Sequence, residues 1–82
     1  MANIESLTPA QRGEADGVHC YDANRMTWTL SCRTPDDTVV LVLYRVERMR
    51  RYADTVVRTD VYREAFVAAF LGRWAADYAY IS

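Results

Sequence analysis

Aromatic side chains recur at every fourth position near the end of this chain, and this spacing constrains the fold more than any other feature. The series consists of Tyr62, Phe66, Phe70, Trp74 and Tyr78, here called the aromatic ridge. Residues four apart lie above one another on an α-helix. The spacing therefore predicts a long C-terminal helix that begins at Thr59 or Asp60 and runs to about Tyr80. We expect Phe66 and Phe70 in the core.

A stripe of small residues runs beside the aromatic ridge. It comprises Ala65, Ala68, Ala69, Gly72, Ala75, Ala76 and Ala79. We expect Ala68, Gly72 and Ala76 to allow close approach of a neighbouring backbone. The ridge drifts by about 40° per step around a helix of 3.6 residues per turn, so the helix is apolar over most of its circumference. This excess of apolar surface favours a binding partner. For Trp74 and Tyr78 the sequence allows two locations, the core or an exposed contact surface.

The first half of the chain predicts a short helix followed by a β-hairpin. Thr8, Pro9 and Gln11 form a capping-box pattern, which is typical of a helix start. Gly13 and Gly17 predict that this helix is short and weak. Apolar and polar residues then alternate. The alternation predicts strands over Val18–Tyr21 and over Met26, Trp28, Leu30 and Cys32, joined by a turn.

Thr38–Tyr44 allows two interpretations. Its β-branched residues favour a third strand that runs into a helix near Arg45. Thr34 followed by Pro35 and two acids is also a strong helix start, so one long helix from Asp36 to Val57 is the alternative. We favour the strand.

These elements together predict a single α+β domain over residues 1–82. It would contain a short N-terminal helix, an antiparallel β-hairpin or three-stranded meander, and a long apolar C-terminal helix packed on the sheet.

All ten cations are arginines, against eleven acids. The arginines cluster at positions 45, 48, 50, 51 and 58. Arg45, Arg48 and Arg51 recur every third residue and would line one helix face, opposite Val46, Met49 and Ala53. Tyr44 and Tyr52 flank the cluster. Such a face is consistent with a solvated surface, with protein binding or with nucleic-acid binding. The expected partner-binding residues are Tyr44, Arg45, Arg48, Arg51, Tyr52, Trp74 and Tyr78.

No residue pattern indicates catalysis, a metal site or a cofactor. On a strand, His19 and Cys20 would point to opposite faces and could not share a metal. Cys20 and Cys32 are too few for a disulfide framework, so we expect two structural thiols in the cytoplasm. The longest apolar run, Phe66–Leu71, is too short to span a bilayer, so no membrane association is expected.

The sequence therefore predicts a non-enzymatic interaction module that binds or blocks a macromolecule. The short, lysine-free chain suits a small accessory protein of a bacterium or its phage, such as an inhibitor or an adaptor. A protein partner is the leading expectation, and a homodimer is a further one. The alternative is a nucleic-acid-binding module that uses the basic face Arg45–Arg58.

Overall fold

A computed structural model of the chain describes residues 7–24, 27, 34–50 and 55–81. These residues form three α-helices and one short 3₁₀ helix. Helix α1 covers Pro9–Ala23, helix α2 covers Pro35–Arg50 and helix α3 covers Asp60–Ile81. The 3₁₀ helix, Thr55–Arg58, lies between α2 and α3.

The predicted α+β fold class is wrong, since no strand occurs in the described part of the chain and its architecture is a small helical bundle. Val18–Tyr21, predicted as the first strand, belongs to α1, and Thr38–Tyr44, predicted as the third, belongs to α2. Apart from Thr27, the residues expected to form the middle strand, Met26 to Cys32, lie outside the described residues. The described residues therefore form neither the predicted hairpin nor the predicted meander.

Helix α1 begins as the sequence predicts but continues further. The Thr8 hydroxyl accepts a hydrogen bond from the Gln11 amide at 3.1 Å, and the Thr8 amide donates to the Gln11 side chain at 2.9 Å. This capping box satisfies two amides of the first turn. The expectation of a short helix is wrong, because α1 extends over 15 residues. Gly13 and Gly17 are buried within it, and packing there outweighs their low helix propensity.

Helix α2 forms because capping and burial outweigh β propensity. The Thr34 hydroxyl accepts from the Asp37 amide at 3.2 Å, and acids occupy the first turn. Val39, Val42 and Leu43 are buried, a spacing that matches one helix face. The alternative of one helix was nearer to the structure, but Val57 lies in the 3₁₀ helix and not in a continuous α-helix.

The long C-terminal helix is confirmed, with α3 beginning at Asp60 and extending over 22 residues. The Thr59 hydroxyl accepts from the Tyr62 amide at 3.3 Å and donates to the Val56 carbonyl at 2.8 Å. One side chain thus caps α3 and holds the 3₁₀ helix against its start.

Helices α1 and α3 approach so closely that glycine is required. A Cβ atom on Gly17 would lie 2.5 Å from the Phe66 carbonyl oxygen, and one on Gly13 would lie closer still to that of Tyr62. The side chains that meet these glycines are Ala65 and Ala69. The small stripe therefore does allow close approach, but through other members than expected.

The expectation for Ala68, Gly72 and Ala76 is wrong. All three residues are exposed, and no atom of the described residues lies within 4 Å of a Cβ built on Gly72. The four-residue spacing defines one line along a helix, but it does not say which of several lines faces the neighbour.

Four residues of the aromatic ridge, Tyr62, Phe66, Phe70 and Trp74, lie in the core between the helices. The buried hydrophobic residues are Tyr21, Val39, Val42, Leu43, Val57, Tyr62, Phe66, Phe70 and Trp74. The Tyr21 ring lies edge-on to Phe70 with centroids 5.4 Å apart, and its centroid is 5.9 Å from that of Trp74. Because α1 is longer than expected, it reaches far enough along α3 to cover both of these rings.

Two tyrosine hydroxyls connect α1 and α3 in opposite directions. Tyr21 on α1 donates to Asp77 on α3 at 2.9 Å, and Tyr62 on α3 donates to Asp16 on α1. Both tyrosines are fully buried, so each hydroxyl finds a carboxylate partner at the edge of the core. At the surface, Arg73 pairs with Asp22 at 3.0 Å, and this hydrogen bond raises the pKa of Arg73 above its ordinary value.

Candidate protein-docking surface

Three of the seven predicted partner-binding residues lie together on the exposed side of α2. These are Tyr44, Arg45 and Arg48. The Arg48 guanidinium lies 5.8 Å from the centroid of the Tyr44 ring, within the distance of a cation–π contact. These three residues therefore lie in one exposed region of α2.

Of the other four predicted residues, the structure describes the side chain of Trp74 alone. Trp74 is only 7% exposed and belongs to the core, so its ring offers little surface to a partner. For Tyr78 the structure describes only the helical backbone of α3. Arg51 and Tyr52 lie outside the described residues.

Most of the large exposed apolar side chains of the described chain lie on α2. The exposed fractions are 64% for Val40, 40% for Leu41, 56% for Tyr44 and 83% for Met49. Met49 was expected to share an apolar face with Val46, but only Val46 packs against the core. Single exposed apolar residues are ordinary, whereas a contiguous exposed apolar patch is typical of an interaction surface.

An open groove of about 570 Å³ lies between α2 and α3. Its apolar lining comes from Val40, Leu43, Tyr44, Val67 and Ala68. The groove exists because α2 inserts Val39 and Leu43 into the core while Val40 and Tyr44 stay outside. One wall is therefore an exposed pair of apolar side chains at positions i and i+4.

The polar residues that line the groove are mainly acidic. They are Glu47, Asp60 and Glu64, with Arg63 as the one cation among them. Arg63 forms an ion pair with Glu47 at 2.9 Å. The lining thus carries an excess of negative charge beside apolar walls, which favours a cationic, apolar ligand and disfavours phosphate.

The sequence reasoning missed the α3 half of this groove and also Val40. Val40 and Tyr44 have the helical i, i+4 spacing, which would have been a usable signal once the segment was read as a helix. The acids at positions 60 and 64 carry no such signal, because only the packing of α2 beside α3 brings them to Tyr44.

Two kinds of feature were not found among the described residues, a cluster of metal ligands and a membrane-spanning helix. No group of three or more His, Cys, Asp or Glu side chains in this part of the chain could hold a metal ion. His19 is exposed and Cys20 is partly buried, both on α1 and not on a strand. Among the helices described, none combines the length and the apolar character needed to cross a membrane.

Comparison with known proteins does not assign this surface. No family model, curated protein or solved structure matches the chain.

Proposed function

We propose that this chain is a non-enzymatic protein-binding module, and that the groove between α2 and α3 receives an apolar helical segment of a protein partner. The observation that supports this most directly is the exposed pair Val40 and Tyr44, which forms one wall of an open apolar groove. Helix-in-groove recognition uses such walls, with a few apolar side chains of the incoming helix as anchors.

The chemistry of the partner follows from the charges beside the groove. Asp60 and Glu64 on α3 and Glu47 on α2 line it, against one cation. A helix with apolar anchors and a flanking arginine or lysine would gain favourable electrostatics there, whereas an acidic helix would be repelled. The proposed partner segment is therefore apolar on one side and basic at its edge.

Such a module acts by occupying a segment of another protein, as an adaptor or a stoichiometric inhibitor does. We propose the cytoplasm as its location, following the cysteine usage of the sequence.

The test is selection of binders from a displayed library of amphipathic helical peptides whose flanking positions vary between acidic and basic. We expect the protein to enrich peptides with basic flanks. Ala68→Arg should lower the affinity for the selected peptides tenfold or more, since Ala68 is exposed and lines the groove. Ala75→Arg is the matched control, because Ala75 is an exposed alanine of the same helix that does not line the groove.

Two results would contradict the proposal. One is a selection that yields no binder at micromolar concentration. The other is equal binding by the Ala68→Arg and Ala75→Arg variants, which would place the contact elsewhere on the molecule.

Nucleic-acid binding is the second candidate, favoured by the exposed Arg45, Arg48 and Arg58. It predicts that a random-sequence oligonucleotide binds with an affinity that falls steeply as salt is added, and that Arg48→Glu reduces that dependence. The acidic lining beside the same helix weighs against this candidate.

A further inference from the structure

The outer face of α2 carries four exposed residues in a line. Asp37, Leu41, Tyr44 and Arg48 are spaced by four, three and four residues, the spacing of the contact positions in a two-helix coiled coil. We call this line the seam. It spans about 16 Å along the helix, from its acidic first turn to its basic last turns.

The seam is complementary to itself when reversed. Asp37 and Arg48 are equally far from its midpoint, and so are Leu41 and Tyr44. If two copies of α2 pair antiparallel, each Asp37 faces an Arg48 and each Leu41 faces a Tyr44. A parallel pairing would instead place like charges opposite each other at both ends.

We propose that a second copy of this chain covers the seam, forming a two-fold dimer through antiparallel α2 helices. A two-fold interface uses the same patch on both copies, so the patch must complement itself. The seam meets this condition in charge and in apolar contact. An unrelated partner would have no reason to require the symmetric placement of Asp37 and Arg48.

The geometry within one chain is compatible with this pairing. Arg48 already lies over the ring of Tyr44, which limits the motion of its side chain before a partner arrives. Leu41 and Tyr44 are 40% and 56% exposed and would be covered at the centre of the dimer. The flanking charge pairs would fix the direction and register of the two helices.

This inference does not depend on the groove. Of the four seam residues, only Tyr44 also lines it. A variant that is monomeric but still binds the selected peptides would separate the two proposals, because it would retain the groove and lose the dimer.

The decisive experiment is sedimentation equilibrium on the wild type and on two charge reversals, Asp37→Arg and Arg48→Asp. We expect the wild type to dimerise at micromolar concentration. Each variant alone should weaken the dimer tenfold or more, because like charges then face each other twice. An equimolar mixture of the two variants should recover a dimer near wild-type strength, since both facing pairs become opposite in charge.

A second pair of variants guards against misfolding. Leu41→Glu should also give a monomer, whereas Met49→Glu, at an exposed position of α2 outside the seam, should dimerise like the wild type. A wild type that is monomeric at high micromolar concentration would overturn the proposal. So would two charge variants that mix without recovering the dimer.

Discussion

Helix α3 packs closely against α1 on one face and only partly against α2 on another. Towards α1, backbone meets backbone at Gly13 and Gly17, and fully buried tyrosines donate to carboxylates across the interface. Towards α2, the contact is partial, and Val40 and Tyr44 stay exposed beside an open groove. The α1–α3 interface is closely packed and leaves no room for another arrangement of the two helices. The α2–α3 interface leaves apolar surface exposed.

This difference predicts that stability and the proposed association depend on different parts of the chain. A close glycine interface with interlocking rings has one good packing arrangement, so it defines the fold. An exposed helix face contributes little to folding and is available for contacts with another molecule. We therefore expect substitutions on α1 and α3 to act mainly on unfolding, and substitutions on the outer face of α2 to act mainly on association.

The largest expected contrast is between two aromatic truncations. Phe70→Ala should lower the free energy of unfolding by about 3–5 kcal/mol, because it removes a fully buried ring at the centre of the core. Tyr44→Ala should change it by about 0.5 kcal/mol or less, as is usual at exposed positions. Urea unfolding at low protein concentration, where self-association does not contribute, measures both. Equal losses would show that α2 is as important to folding as the ridge.

The next contrast compares glycines and predicts opposite signs. Gly17→Ala should destabilise the protein by about 1–3 kcal/mol, since its Cβ atom would press on the Phe66 carbonyl and force the helices apart. Gly72→Ala should stabilise it by about 0.5–1 kcal/mol, because alanine is the better helix former and open space receives the methyl group. Thermal melting of the two variants is sufficient, and the same sign for both would contradict the close approach of α1.

The smallest contrast concerns single hydroxyl groups. Tyr21→Phe should cost about 1 kcal/mol, because the hydrogen bond to Asp77 is lost while the ring stays in place. Tyr44→Phe serves as the control and should be neutral for unfolding, since more than half of Tyr44 is exposed. The contradicting result would be a Tyr21→Phe variant that melts at the wild-type temperature.

The sequence predicted correctly those features of the fold that depend on residues within a single helix. The four-residue spacing of the aromatic residues predicted α3 with nearly correct ends. The capping box at Thr8 and Gln11 likewise located the start of α1. These signals are local, because they depend on hydrogen bonds and side chains within two turns.

The rest of the fold depended on neighbours that a single sequence does not reveal. Gly13 and Gly17 indicated a weak helix in isolation, whereas in the structure they are the residues that let α1 lie against α3. In α2, the run of valines outweighed the cap at Thr34 in our interpretation. The buried spacing of Val39, Val42 and Leu43 shows that the helical pattern was present in the same residues.

The candidate site follows the same division. Exposure of Arg45 and Arg48 could be anticipated from the periodicity of the arginines alone. The groove could not, because its two walls lie on different helices and form one surface only when α2 packs beside α3. The burial of Trp74 could not be predicted from the sequence either. It depends on α1 being long enough to place Tyr21 against the Trp74 ring.

The close approach at the two glycines of α1 also limits which residues these positions can accept during evolution. Any substitution at position 13 or 17 adds at least one carbon atom against a main-chain carbonyl, and no change at another single position removes that carbonyl. Descendants of this chain that keep the fold should therefore retain glycine at both positions, long after the outer face of α2 has diverged. At position 72 no described residue would meet an added Cβ atom, so we expect other residues to replace this glycine freely. The pairing of two invariant glycines four apart with an aromatic at every fourth position of a later helix would then identify distant relatives.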